Sequence, residues 1–153
     1  IERHGGAVAI SGSWNHLVAT YDGSGKADNI KFYLNGSDIT STTNTFSAGT
    51  WSALNDSEAP VIIGGIAGNS DRFKGYLDEV SIWSKELSSA DVTDIYNAGT
   101  ASDISASGSL LSWWRMGDNN GGTGTTVTDV EGVGNGTLSG FAASDGFSSE
   151  TVP

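Results

Sequence analysis

Apolar and polar residues alternate with a period of two along several short stretches, the pattern of strands with one covered face. From Trp14 to Tyr21 the chain is rich in aromatic and β-branched residues, and Leu17, Ala19 and Tyr21 fall on one face. Asp22-Gly23-Ser24-Gly25 then supplies turn chemistry. Between Asn29 and Leu34, Ile30, Phe32 and Leu34 point one way while Lys31 and Tyr33 point the other. Asn35-Gly36 follows at once and predicts a hairpin, because both residue types tolerate positive φ. Residues 37–58 are polar and read as one strand and a long loop carrying Trp51.

Farther along, Val61-Ile62-Ile63-Gly64-Gly65-Ile66 reads as a buried strand whose glycines admit a bulge or another backbone. Phe73 to Trp83 is the strongest strand pattern, with Val80 and Ile82 opposite Ser81 and Trp83. Leu110 to Met116 is a further strand. A Gly/Asn/Thr/Asp loop over 117–136 is broken by Thr126-Val127-Thr128, and Thr137-Leu138 opens a last short strand. Residues 142–153 read as a poorly structured tail.

The apolar period changes to that of a helix only once. Ser88 is placed to cap the N-terminus, with Asp91 in the capping-box position. Leu87 and Val92 fit a hydrophobic staple, Ile95 and Tyr96 extend the stripe, and Gly99 fits a left-handed stop. The helix is expected over roughly residues 89–98. Many short strands, frequent turns and one short helix together predict an all-β, two-sheet sandwich.

Charge narrows the partners of such a fold. Lys and Arg number 7 against 18 Asp and Glu, for a net charge of −11. That surface repels phosphate, which excludes sequence-independent nucleic-acid binding and disfavours anionic membranes. It suits solubility and the binding of hard divalent cations. With no cysteine, disulfides, zinc thiolates and thiol nucleophiles are excluded. No apolar run approaches the ~18 residues of a membrane span. The opening Ile1-Glu2-Arg3-His4 lacks a starting Met and reads as part of a longer protein.

Four ordered segments now carry a family resemblance: Trp14 to Gly23, Lys31 to Gly36, Ile63-Gly64-Gly65, and Phe73 to Trp83 with Leu87-Ser88. Together they resemble the laminin G-like jelly roll of the concanavalin A-like lectin/glucanase superfamily, across residues 14–98. The resemblance implies a jelly-roll antiparallel sandwich. Residues 110–138 are similar to a further motif of the family, an apolar strand, a Gly-rich loop, an Asp and Gly-Asn-Gly-Thr-Leu, which usually opens the domain. Here it either folds back as in a permuted chain, begins a second module, or belongs with strands supplied by a neighbouring chain. Folding back leaves the fewest unpaired edges. It gives a single sandwich over 1–141 with 110–141 as its displaced terminal strands. The Trp113 to Asp118 segment ahead of a Gly/Thr loop is also similar to repeats of phage surface proteins.

Glucanases of this superfamily place two Glu and an Asp on one strand with a two-residue spacing, so that paired carboxylates share a face. Here Asp78 and Glu79 are adjacent and point to opposite faces, and no Glu-x-Asp occurs. A hydrolase is therefore not expected. Of two histidines, His4 lies near an end and His16 within a strand, where a structural role outweighs a general base.

Many laminin G-like domains hold a structural Ca²⁺. By resemblance its candidate ligands are Asp129 and Asn135 with the carbonyl-rich loop between them, and Asp78 if the C-terminal segment folds back. Against this stands an Asx turn at Asp129 and a strand bulge capped by Asp78. For glycan contact the candidate is Trp51, the tryptophan whose context is a polar loop; Trp14, Trp83 and Trp113 have core contexts. Asn35, Asn55 and Asn135 begin Asn-x-Ser/Thr sequons that chance and turn composition explain.

The resulting expectation is a non-catalytic surface or adhesion module of a larger extracellular or virion structural protein. Its partners would be glycans or neighbouring subunits of an assembly. The alternatives are a soluble carbohydrate-binding lectin domain or an accessory domain of a glycoside hydrolase.

Overall fold

A computed structural model describes residues 2–4, 12–40, 44–46, 52, 59–65, 72–118, 122–140 and 146–147. Its elements run in the order β1 (Glu2–His4), β2 (Leu17–Thr20), β3 (Lys31–Leu34), β4 (Ser37–Asp38), β5 (Asn44–Phe46), β6 (Val80–Trp83), α1 (Ser89–Tyr96), β7 (Leu110–Trp114), β8 (Thr126–Val127) and β9 (Gly136–Thr137). Short strands in antiparallel pairs and one short helix make the class all-β, as the alternation implies. The chain divides into two units, the first Ile1–Leu54 with Trp83–Leu110 and Thr151–Pro153, the second Asn55–Ile82 with Leu111–Glu150.

In the first unit β2, β3 and β4 form a meander, and β1 pairs with β5. Asn35 (φ 50°) and Gly36 (φ 77°) make the turn between β3 and β4, as the Asn-Gly pair predicts. The Asn35 side chain adds a second clamp, since its Oδ1 accepts the His16 N–H at 2.9 Å. The Arg3 guanidinium reaches from β1 to the carbonyls of Asp28 (2.8 Å), Ile30 (3.0 Å) and Thr40 (3.1 Å).

One of the two apolar parities of this meander faces the core. Leu17 is 61% exposed, whereas Val18 packs against the core and Thr20 is buried. Val18 lies opposite Tyr33 in the register, and Tyr33, 2% exposed, forms the core with Leu87 and Val92. Trp83 and Ile95 flank them. Helix α1 lies over the Val18–Tyr33 parity, and of the opposite apolar set Leu17 and Ala19 are exposed while Phe32 and Leu34 are half-buried.

Helix α1 begins as its residues dictate. Ser88 accepts the Asp91 N–H at 3.1 Å, and Asp91 accepts the Ser88 N–H at 2.8 Å, a complete capping box. Its end departs from expectation. Asn97 (φ 44°) and Ala98 (φ 53°) already turn left-handed, so the helix stops before Gly99.

β6 pairs with β7, and in the second unit β8 pairs with β9. Leu110, Ser112, Trp113 and Trp114 of β7 are buried. The expected strand at 61–66 does not form among the described residues. Val61, Ile62 and Ile63 are exposed, and only an isolated bridge joins Gly65 to Arg72. The strand expected from Phe73 is confined to β6, because Glu79 (φ 52°) breaks the extended run immediately before it.

Candidate binding site

A cleft of about 420 Å³ opens in the first unit between the meander and the start of α1. Lys31, Tyr33 and Asp38 form one wall, and Glu86 to Ser89 the other. Strand geometry explains the first wall. Lys31 and Tyr33 are two apart on β3 and share a face, and Asp38 lies opposite Tyr33 in the β3–β4 register. The capping box and Leu87 seat the second wall, because burying Leu87 fixes the backbone that carries Glu86 and Ser89.

Across the mouth, Lys31 Nζ lies 3.1 Å from Glu86 Oε1. Hydrogen bonding to and the charge of Glu86 hold the Lys31 ammonium above its ordinary range, so it stays cationic. Hydrogen bonding from the Thr40 hydroxyl, and from the Thr40 N–H at 2.7 Å, lowers the Asp38 carboxyl and keeps it an anionic acceptor. Tyr33 has its ring buried and lines the cleft. The cleft thus combines an ammonium, two carboxylates and a phenol over an apolar floor of Leu87 and the Tyr33 ring.

In the second unit the expected calcium residues Asp129 and Asn135 do meet, with a different bonding pattern. Asn135 Oδ1 accepts the Asp129 N–H at 2.9 Å. The Asp129 carboxylate, 3% exposed, takes backbone N–H bonds from Trp113 (2.9 Å), Glu131 (3.1 Å), Val133 (3.2 Å) and Gly134 (3.0 Å). Burial alone raises its pKa, but the Trp113 and Gly134 amides, the Ser112 hydroxyl and the Glu131 amide outweigh burial and lower it. These donors point their hydrogens at the oxygens a cation would need, so the set fits a loop anchor rather than a Ca²⁺ cage. Among the described residues no three His, Asp or Glu side chains converge as a metal site.

Asp78 and Glu79 are likewise held by their own surroundings. Glu79 Oε2 accepts the Trp113 indole N–H at 2.6 Å, and Oε1 accepts Arg115 Nε at 3.2 Å. Arg115 continues to Asp118 at 2.9 Å and lies 5.1 Å over the Trp113 ring. Asp78 accepts the Glu79 N–H at 2.8 Å. Burial pushes its carboxyl up to about 6, aided by the charges of Glu79 and Asp118. Trp51, the expected sugar-stacking residue, lies outside the described residues.

A family model, that of the concanavalin A-like lectin/glucanases superfamily in its laminin G form, matches residues 3–93. The chain belongs to this superfamily. The match runs through the meander and into α1, and so covers both walls of the cleft in this concanavalin A-like domain. No curated protein and no solved structure matches the chain. No helix among the described residues is long and apolar enough to cross a membrane.

Sequence motifs point to Asp78, Asp129, Asn135 and Trp51, whereas Asp38, Glu86 and Ser89 of the cleft carry no motif. One local signal was available, the shared parity of Lys31 and Tyr33. Glu86, 55 positions from Lys31, has no local link to it in the sequence.

Proposed function

We propose that this concanavalin A-like domain is a non-catalytic attachment module of a larger extracellular or virion structural protein, and that it binds glycans. The observation that carries this reading is the contrast between its acids and its cleft. Asp129, Glu79 and Asp91 spend their oxygens on backbone amides, an indole and a helix cap. Such committed groups serve poorly as the nucleophile and acid of glycoside hydrolysis, which needs two carboxyl groups facing a shared bond. The cleft instead presents hydrogen-bonding groups over an apolar floor, the composition of a small-molecule binding site.

Assembly with neighbouring protein subunits is a second reading. It is favoured by the exposed apolar side chains of Val61, Ile62, Phe73, Tyr76 and Leu77 in the second unit.

Two measurements test the proposal together. Binding of the purified chain to immobilised glycans, without release of reducing sugar from the same glycans, is the expected result. Reducing-sugar release, or a glycan array with no bound member, overturns it.

A further inference from the structure

His16 stands immediately ahead of β2, and its backbone is fixed from both sides. Its N–H donates to Asn35 Oδ1 at 2.9 Å, and its carbonyl accepts the Asn35 N–H at 2.8 Å. The side chain is held differently. The imidazole stacks on the Tyr96 ring, with 5.8 Å between centroids and 20° between planes, and its Nδ1 is buried with no hydrogen-bond partner.

Tyr96 is the last residue of α1. A β-carbon at Gly36 would stand 2.9 Å from its Cδ1, and one at Gly99 3.6 Å from its hydroxyl, so the β3–β4 turn and the exit from α1 close on the ring that His16 stacks against. That exit is strained. Asn97 (φ 44°), Ala98 (φ 53°) and Gly99 (φ 91°) are left-handed in succession. Glycine takes such a backbone freely and Asn tolerates it, but the β-carbon of Ala98 opposes it. Strain of this kind persists only where the surroundings over-determine the backbone. Here the Tyr96 ring does so, together with the Ser102 hydroxyl bonded to the Ile95 carbonyl at 3.0 Å.

We infer that the His16–Tyr96 stack is an acid-operated latch: when His16 takes a proton its ring leaves Tyr96, and residues 97–99 relax from the left-handed turn. The latch is independent of what the attachment module binds.

Its direction follows from the two states of the imidazole. An imidazolium donates from both nitrogens, and at the buried Nδ1 no acceptor meets it. The face of a tyrosine ring attracts a cation without accepting that proton in a strong hydrogen bond. Burial accordingly holds the stacked imidazole below its ordinary 6.5. No charge offsets burial: Asp91 and Asp94 of α1, Asp38 of β4 and Lys31 of β3 add nothing to its titration. Turned into water the ring regains its ordinary value, so below about pH 6.5 the open form takes the proton first. Each further unit of acid favours opening by up to about tenfold, until the stacked ring is protonated too.

Hydrogen exchange followed by NMR on the full chain reads the latch where it acts, since Asp78, raised to about 6, would contribute to a global Tm over the same range. The reporters are the Asn97 N–H, bonded to the Thr93 carbonyl, and the Thr100 N–H, bonded to the Asn97 carbonyl. The Val92 N–H, bonded to the Ser88 carbonyl, is the control. Between about pH 7.5 and 5, protection at Asn97 and Thr100 is expected to fall about tenfold or more as the His16 imidazole signal titrates, with Val92 unchanged. His16→Phe stacks and takes no proton, and should keep the protection. Ala98→Gly removes the strain and should lessen the fall. Protection at Asn97 and Thr100 that ignores pH, a fall shared equally by Val92, or an equal fall in His16→Phe overturns the inference. If His16→Phe does not fold, the parent and Ala98→Gly decide, and equal falls in these two overturn it.

Discussion

The Asp129 carboxylate accepts the backbone N–H of Trp113 at 2.9 Å, tying a loop to the centre of β7 from sixteen positions away. Three more amides from the same loop converge on it, and the Trp114 indole returns a bond to the Gly134 carbonyl at 3.0 Å. Removing the carboxylate leaves the buried Trp113 N–H and three part-buried loop N–H groups without their acceptor. Asp129→Ala is expected to cost about 3–5 kcal/mol, and Asp129→Asn about 2 kcal/mol because one oxygen still accepts. Urea midpoints at unchanged m-value check this. A loss below about 1 kcal/mol for the alanine variant would show that the loop does not depend on this anchor.

The same occupancy bears on calcium. With its oxygens turned toward N–H groups, Asp129 has no reason to recruit a divalent ion. Melting with and without a chelator is expected to give the same Tm, and added Ca²⁺ to leave it unmoved. A rise in Tm that grows with Ca²⁺ concentration would mean that an ion binds the folded state and that this loop, or another, houses it.

What the residues disclosed in advance follows the range of each interaction. The capping box, the staple of Leu87 and Val92 and the Asn35-Gly36 turn are each settled within a few residues, and each is present. The inward face of β2 and β3 is different. Both parities carry apolar side chains, so alternation fixes the period and leaves the choice of face to whatever covers it, here α1. Val61 to Ile63 show the same dependence, since an apolar run becomes a strand only when a partner edge reaches it. The cleft joins β3 and β4 to the residues just ahead of α1, and no local pattern marks such a site.

Ser88 caps α1 and also stands on the cleft wall. Ser88→Ala is expected to lower stability by about 1 kcal/mol, measured by urea denaturation, through loss of the bond from the Asp91 N–H. Should Ser88→Ala leave the urea midpoint unchanged, the helix start is held by Leu87 packing alone.

Gly36 turns at φ +77°, and a β-carbon there would stand 2.9 Å from Tyr96 Cδ1, beneath the ring that stacks on His16. Two costs therefore combine in Gly36→Ala, a left-handed backbone and a contact with α1. The variant is expected to lose about 1–2 kcal/mol. Tyr96→Ala removes the second cost only, so Gly36→Ala should be milder in that background. Equal losses in both backgrounds would assign the whole effect to the backbone.

Asp78 sets a pH dependence whose sign follows from its environment. Burial, with the charges of Glu79 and Asp118, raises its carboxyl to about 6 against an ordinary 3.8, while the Glu79 amide and the Arg115 charge oppose them. The folded state then binds more protons than the unfolded state between those values, so this group's contribution to stability falls as pH rises from about 4 to 6. His16 works in the opposite direction, because burial lowers its imidazole and the unfolded chain takes the proton first. Asp22, Asp38, Asp91 and Asp129, all lowered, lose their contributions only as pH falls below the ordinary carboxylate range. Comparing Asp78→Asn with the parent isolates one group, since the amide oxygen still accepts the Glu79 N–H. The variant should match the parent near pH 4 and exceed it above pH 6. Allowing for solvent screening of a half-exposed carboxyl, the gain is on the order of 1 kcal/mol, or about 2–4 °C in Tm. A Tm difference that stays constant from pH 4 to 8 would show that Asp78 titrates at the same pH folded and unfolded.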